Sequence, residues 1–131
     1  MPDQPAGALT QRAQLMLDLF DSMAFSELGA MLTDDAQSVD EISRGWRRGR
    51  ESIGAYMSQL KDTVSDVHSR MSEPHEAVWG DVGLVTFVLE QSYTMDGQKQ
   101  TLEAPTSILF RRQEGDWRIA LIHTVPLPEQ A

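Results

Sequence analysis

The chain has 131 residues, of which 40% are hydrophobic and 24% charged, and its formal net charge is −9. That is the size and composition of one soluble domain with a core, and the acidic balance argues against nucleic acid or an anionic membrane surface as partner. There is no cysteine, which excludes disulfides, thiol catalysis and cysteine-ligated metals.

No run of the sequence approaches the ~18 apolar residues of a membrane span. The start, Met1-Pro2-Asp3-Gln4-Pro5, lacks the basic-then-apolar pattern of a signal peptide. The expectation is a single domain over 1–131, with an ordered core from about 8 to 126, in the cytoplasm.

Thr10 can cap a first helix reaching Met23, because Ala13, Met16, Leu17, Phe20 and Met23 recur at helical spacing. A second short helix is expected from Phe25 to Leu32, with Leu28, Met31 and Leu32 on one side. Thr33-Asp34-Asp35 ends it, and Ala36 to Ile42 reads as a short strand with Ser38, Asp40 and Ile42 on one face. The arginine-rich segment Ser43 to Arg50 turns the chain into a third helix from Glu51 to Lys61, whose stripe is Ile53, Tyr56, Met57 and Leu60.

From Val64 the chain is rich in strand signals. Val64 to Met71 alternates, Ser72-Glu73-Pro74 interrupts, and His75 to Trp79 resumes. Leu84 to Tyr93 is a long strand. Met95-Asp96-Gly97-Gln98 is a strong hairpin signal. The returning strand, Lys99 to Arg112, contains Pro105, which implies an edge position or a bulge. Glu114-Gly115-Asp116 then turns into a final strand, where simple alternation puts Trp117, Ile119, Leu121, His123 and Val125 on one face. The fold class is α+β, with three N-terminal helices packed on one face of a curved antiparallel sheet. Such a sheet encloses a cone whose open end is a natural pocket.

The order of these elements resembles the nuclear transport factor 2-like superfamily, the cone-shaped fold shared by ketosteroid isomerases and SnoaL-like cyclases. Three stretches carry the resemblance: Asp34-Asp35-Ala36 leading to Asp40; Gly49-Arg50-Glu51-Ser52-Ile53; and Gly115-Asp116-Trp117-Arg118-Ile119 followed by His123-Thr124. The resemblance covers roughly residues 8–126 and implies a homodimer that pairs sheet against sheet. The sequence departs from these relatives at Ala104, where an arginine is common, and at Val125-Pro126 after the final histidine. The superfamily holds enzymes as well as binding and oligomerisation modules, so fold alone does not assign an activity.

The resemblance implies a small apolar ligand in the cone and no cofactor. Asp40 is the candidate base, since a carboxylate against apolar walls can take a proton next to a carbonyl. His123 is the candidate hydrogen-bonding partner, since an imidazole can donate to an enolate oxygen or exchange a proton with Asp40. Trp46, Tyr56, Trp79, Tyr93 and Thr106 are candidate ligand contacts. The alternative is a non-catalytic ligand-binding or dimerisation module on the same fold. The arginines 44, 47, 48 and 50 either steer an anionic ligand or pair with surplus acids. His68 and His75 stand seven apart with no convergent ligand spacing, so no metal is expected.

Overall fold

The computed structural model describes residues 7–40, 42 and 45–125. The helices are α1 (Ala8–Asp21), α2 (Phe25–Ala30) and α3 (Arg50–Thr63). The strands are β1 (Leu32–Val39), β2 (Arg47–Arg48), β3 (Val64–Trp79), β4 (Val82–Met95), β5 (Gln98–Gln113) and β6 (Asp116–Thr124). They form one curved, unclosed sheet in the order β2-β1-β6-β5-β4-β3. Neighbouring strands are antiparallel except β1 and β6, which run parallel.

The apolar stripes read from the sequence do the packing. Leu9, Ala13, Met16 and Leu17 of α1 are buried, as are Ile53, Met57 and Leu60 of α3. α1 lies on β3 and β4, whereas α3 lies against β1, β2 and α2. On β4 the buried face is Val85, Phe87, Leu89, Gln91 and Tyr93. Phe110, Ile108 and Ile119, all fully buried, continue that layer on β5 and β6.

α1 begins two residues before Thr10, and Gly7 takes the N-cap position at φ 87°. Thr10 bonds outward instead: its N–H and hydroxyl both donate to Glu76 Oε2, at 2.9 and 2.5 Å. β1 starts at Leu32, four residues before the expected strand, because the chain leaves α2 directly into pairing with β6. Of the expected Ala36–Ile42 strand, Glu41 lies outside the described residues, as do Ser43 and Arg44 of the following turn.

Two of the three hairpins occur where Asp-Gly and Glu-Gly predict them, and the third turns at Gly80-Asp81 between β3 and β4. Asp96 and Gly97 have φ 54° and 75°, and Glu114 and Gly115 have φ 52° and 83°. Two successive positive φ values are the turn that matches the twist of antiparallel strands.

Besides a register shift between Leu32 and Gln37 where β1 pairs with β6, three irregularities bend the sheet. β3 does not stop at Ser72-Glu73-Pro74; its register slips there and between Ser65 and His68, with Glu73 and Asp66 both at φ 54°. Such bulges keep a strand paired while kinking it. The third lies in β6. Phe110 pairs with Ile119 but Leu109 pairs with Leu121, so Ala120 is an extra residue. Every side chain beyond it changes face.

Pro105 sits inside the sheet and pairs with Val88. Its carbonyl accepts from the Val125 N–H at 2.9 Å, just past the end of β6. The missing N–H points to that same side, so Pro105 sits at the end of the β5–β6 ladder, in an interior strand and without a bulge, rather than at the edge or bulge its presence implied.

Candidate functional site

The helices and the inner face of the sheet enclose a cavity of about 70 Å³ that opens to solvent at its mouth. Met16, Leu17 and Phe20 of α1, Leu28 of α2, and Ile53 and Met57 of α3 form the helical wall. Leu89 and Ile122 form the apolar part of the sheet wall. Six polar residues interrupt this lining: Ser38, Asp40, Tyr56, Gln91, Thr106 and Thr124.

Asp40 follows β1 and is the carboxylate of the cavity. The Tyr56 hydroxyl donates to it across the gap from α3, 2.9 Å from both Oδ1 and Oδ2. The Ile42 N–H also donates to Oδ1, at 3.1 Å. Tyr56 comes to this position because it is one helical turn from Ile53 and Leu60, on the edge of the buried stripe. The Arg47 guanidinium stands 5.0 Å above the Tyr56 ring centre, a cation over a π face. Thr106 and Thr124 occupy the sheet wall. Thr106 Oγ1 donates to the Ala104 carbonyl at 3.1 Å and lies 3.3 Å from Thr124 Oγ1.

Of the residues singled out in the sequence, the structure brings Asp40, Tyr56 and Thr106 together around the cavity. His123 is not among the lining residues. The extra residue at Ala120 turns Ile122 and Thr124 inward and puts His123 on the opposite face, in register with Val39 and Ser107. There its ring stacks on Trp46, with centroids 5.8 Å apart and planes 10° from parallel. Trp46 is 44% exposed, and the Arg48 guanidinium lies over its ring, 5.5 Å from the ring centre. Trp79 is 60% exposed at the end of β3, paired with Val82 beside the turn. Tyr93 is buried in the core cluster rather than on the cavity wall.

The arginine segment disperses. Arg50 pairs with Asp34 at 2.9 Å and donates to the Leu32 carbonyl. Arg48 Nε donates to Gln37 Oε1 at 3.1 Å. Arg44 lies outside the described residues.

Sequence reasoning passed over Ser38, Thr124 and Gln91. The signal for Gln91 was present: it is the one amide on the face Val85, Phe87, Leu89, Gln91, Tyr93. A polar side chain on an otherwise core-facing stripe needs a partner or a purpose. Asp21 was also passed over. It caps no helix end; its carboxylate accepts from the Ser69 N–H at 2.7 Å and from the Ser69 hydroxyl at 2.6 Å. Burial raises the Asp21 carboxyl above its ordinary 3.8, against the opposing pull of the two Ser69 bonds.

The chain belongs to the SnoaL-like domain family, whose model matches residues 10–126. No curated protein matches the sequence. Among solved structures, the chain is similar to a Novosphingobium aromaticivorans protein provisionally named an aromatic ring hydroxylase. That match has TM-score 0.88 and 15% identity, covering 98% of this chain and 93% of the other. It is also similar to a provisionally named dehydratase of the nuclear transport factor 2-like family from Streptomyces avermitilis, with TM-score 0.84, 15% identity and coverages of 97% and 99%. A third is a provisionally named calcium/calmodulin-dependent protein kinase II association domain from Xanthomonas campestris, with TM-score 0.83, 16% identity and coverages of 98% and 91%. Identities this low establish the nuclear transport factor 2-like fold and leave the chemistry to the site. No helix among the described residues is long and apolar enough to cross a membrane.

Proposed function

We propose that the protein is a cofactor-independent enzyme that moves a proton next to a carbonyl on a small apolar molecule, in the manner of an isomerase, cyclase or dehydratase. The observation that carries this reading is Asp40, the one carboxylate among the described residues that line a cavity whose walls are mostly aliphatic and aromatic. Asp40 acts as the base. It takes a proton from the carbon beside the carbonyl, and the C–H electron pair moves toward the carbonyl oxygen as an enolate. Tyr56, rather than His123, takes the hydrogen-bonding role, because its hydroxyl already touches both carboxylate oxygens. Thr106 and Thr124 supply hydroxyls on the facing wall.

One observation favours the alternative, a ligand-binding or association module. Hydrogen bonds from Tyr56 and Ile42 already occupy both Asp40 carboxylate oxygens, which leaves them less open to the C–H of a substrate. The outer face of the sheet adds to this reading. Leu84, Leu109 and Leu121 pair across three strands, with the exposed Trp79 and Val82 beside them. A second copy of the chain pairing sheet against sheet would cover that apolar band.

The two readings separate in D2O. A panel of apolar ketones is incubated with the protein, and exchange of the protons beside the carbonyl is followed by NMR. The enzyme reading expects exchange with the wild type and its loss in Asp40→Asn with the fold retained. Exchange that persists in Asp40→Asn refutes Asp40 as the base, and none across a panel that demonstrably binds leaves the binding module as the function.

A further inference from the structure

We propose that Ser38 is the hydrogen-bond donor to the ligand's carbonyl oxygen, placing that oxygen beside Asp40 and holding its charge as the enolate forms. The inference deepens the proposed function, since it rests on the cavity receiving a small carbonyl compound. It narrows the ligand to ketones whose carbonyl reaches the β1 wall.

Among the described residues, four hydroxyls meet the cavity, those of Ser38, Tyr56, Thr106 and Thr124. Each has one hydrogen to give. Tyr56 gives its hydrogen to Asp40. Thr106 gives its own to the Ala104 carbonyl at 3.1 Å, which leaves Thr124 to donate to Thr106 Oγ1 at 3.3 Å. Ser38 has no such commitment, for its hydroxyl makes no hydrogen bond among the described residues. It is not walled in either. Ser38 is 8% exposed, yet the unpaired polar atoms that packing seals off are Arg12 Nε, Arg50 Nε, Gln91 Oε1 and Trp117 Nε1, and not Ser38 Oγ. That oxygen opens on the cavity that Ser38 lines. A hydroxyl hydrogen without a partner in a mostly apolar pocket favours a ligand that brings an acceptor. The Gln91 amide donates one hydrogen to Ser69 Oγ at 3.0 Å and keeps a second. Gln91 stands three strands from β1, however, roughly 14 Å along the sheet at ~4.8 Å per strand.

Ser38 and Asp40 face the same cavity because side chains two apart share a face at the end of β1. Their Cα atoms are separated by roughly 7 Å, at ~3.3 Å per residue. A carbonyl oxygen touching Ser38, with the carbon beside that carbonyl touching Asp40, bridges such a gap. Pairing holds Ser38 on both sides, to Ile122 of β6 and to Arg47 of β2, so the hydroxyl is carried on a rigid strand. When Asp40 takes the proton, the C–H electron pair becomes the C=C bond of the enolate and the carbonyl π pair moves onto oxygen. Ser38 keeps its own hydrogen and donates it as a hydrogen bond to that oxygen. Return of the proton from Asp40 to carbon restores the ketone. A donor aimed at charge that develops during the reaction stabilises the transition state more than the ground state.

The test uses the full chain and two single-ring probes of one shape, acetophenone and α-methylstyrene, which differ in carrying C=O or C=CH2. Dissociation constants are measured by NMR shift titration for the wild type, for Ser38→Ala, and for Thr124→Val, which removes the neighbouring hydroxyl. The preference of the wild type for the ketone is expected to fall about fivefold in Ser38→Ala, as loss of one hydrogen bond implies. An unchanged ratio in Ser38→Ala overturns the proposal, and so does a larger fall in Thr124→Val or failure of acetophenone to bind the wild type. Exchange of the acetophenone methyl protons in D2O, followed in the same samples, is expected to slow about hundredfold in Ser38→Ala; a rate that Ser38→Ala leaves unchanged overturns the role at the enolate. The ratio reads binding alone. A ratio that falls while the wild type exchanges no proton keeps Ser38 as the donor and removes Asp40 as the base. A flat ratio with exchange that Asp40→Asn abolishes removes Ser38 and keeps Asp40.

Discussion

The bond between Tyr56 and Asp40 joins α3 to the end of β1 across the cavity, and its strength can be isolated. Tyr56→Phe removes one oxygen and nothing else from a half-buried side chain whose hydroxyl sits 2.9 Å from both carboxylate oxygens. A hydrogen bond to a charged group contributes about 1.5–3 kcal/mol when desolvated. Both partners keep partial contact with solvent, so screening brings the figure to about 1 kcal/mol. For a chain of this length that is roughly 3–5 °C in Tm. Asp40→Ala removes the same bond together with the others that Asp40 makes, so its own cost is larger and harder to read. The double-mutant cycle resolves this. Thermal unfolding of the wild type, Tyr56→Phe, Asp40→Ala and the double variant is expected to give a coupling of about 1 kcal/mol. Strict additivity of the two single variants would refute the claim that this bond holds the helix to the strand.

Three further outcomes follow from the same structure. Burial raises the Asp21 carboxyl above 3.8, so the folded protein holds its proton more readily than the unfolded chain. The stability due to this group is full below 3.8 and is lost as pH rises through the shifted value. Denaturant titrations across that window are expected to show Asp21→Asn gaining on the wild type as pH rises, and a difference independent of pH would contradict the assignment. Phe110→Ala opens a void at a fully buried position of β5 and is expected to cost about 3–5 kcal/mol in chemical denaturation. Leu109→Lys puts a charge in the middle of the outer apolar band; sedimentation is expected to show a dimer for the wild type and a monomer for the variant.

Much of this architecture was legible because local chemistry and global fold agree. The helical stripes of α1 and α3 became buried faces with no change of membership at their centres. Asp96-Gly97 and Glu114-Gly115 made their turns because positive φ at both positions is a geometry that a two-residue hairpin favours and that Asp-Gly and Glu-Gly here adopt. What escaped the sequence was a matter of single residues. In Arg118-Ile119-Ala120-Leu121-Ile122 both alternating sets are apolar, so nothing in the pattern marks Ala120 as the extra one. That residue decides whether His123 or Thr124 meets the cavity. β2 is only two residues long, and its pairing with Gln37 and Ser38 depends on β1 being in place, which no local signal encodes. The Asp21–Ser69–Gln91 chain joins residues from three distant segments. Asp21, read alone, belonged with the polar face of its helix.

The central claim is that Asp40 meets the reacting carbon of a ligand inside the cavity. The most direct measurement is a crystal structure with an apolar ketone bound, chosen from those whose protons exchange. The account predicts the carbon beside the carbonyl within about 3.5 Å of an Asp40 carboxylate oxygen, with the ligand body against Met16, Leu17 and Phe20. A ligand lodged elsewhere, or in the cavity with its carbonyl turned away from Asp40, would contradict it.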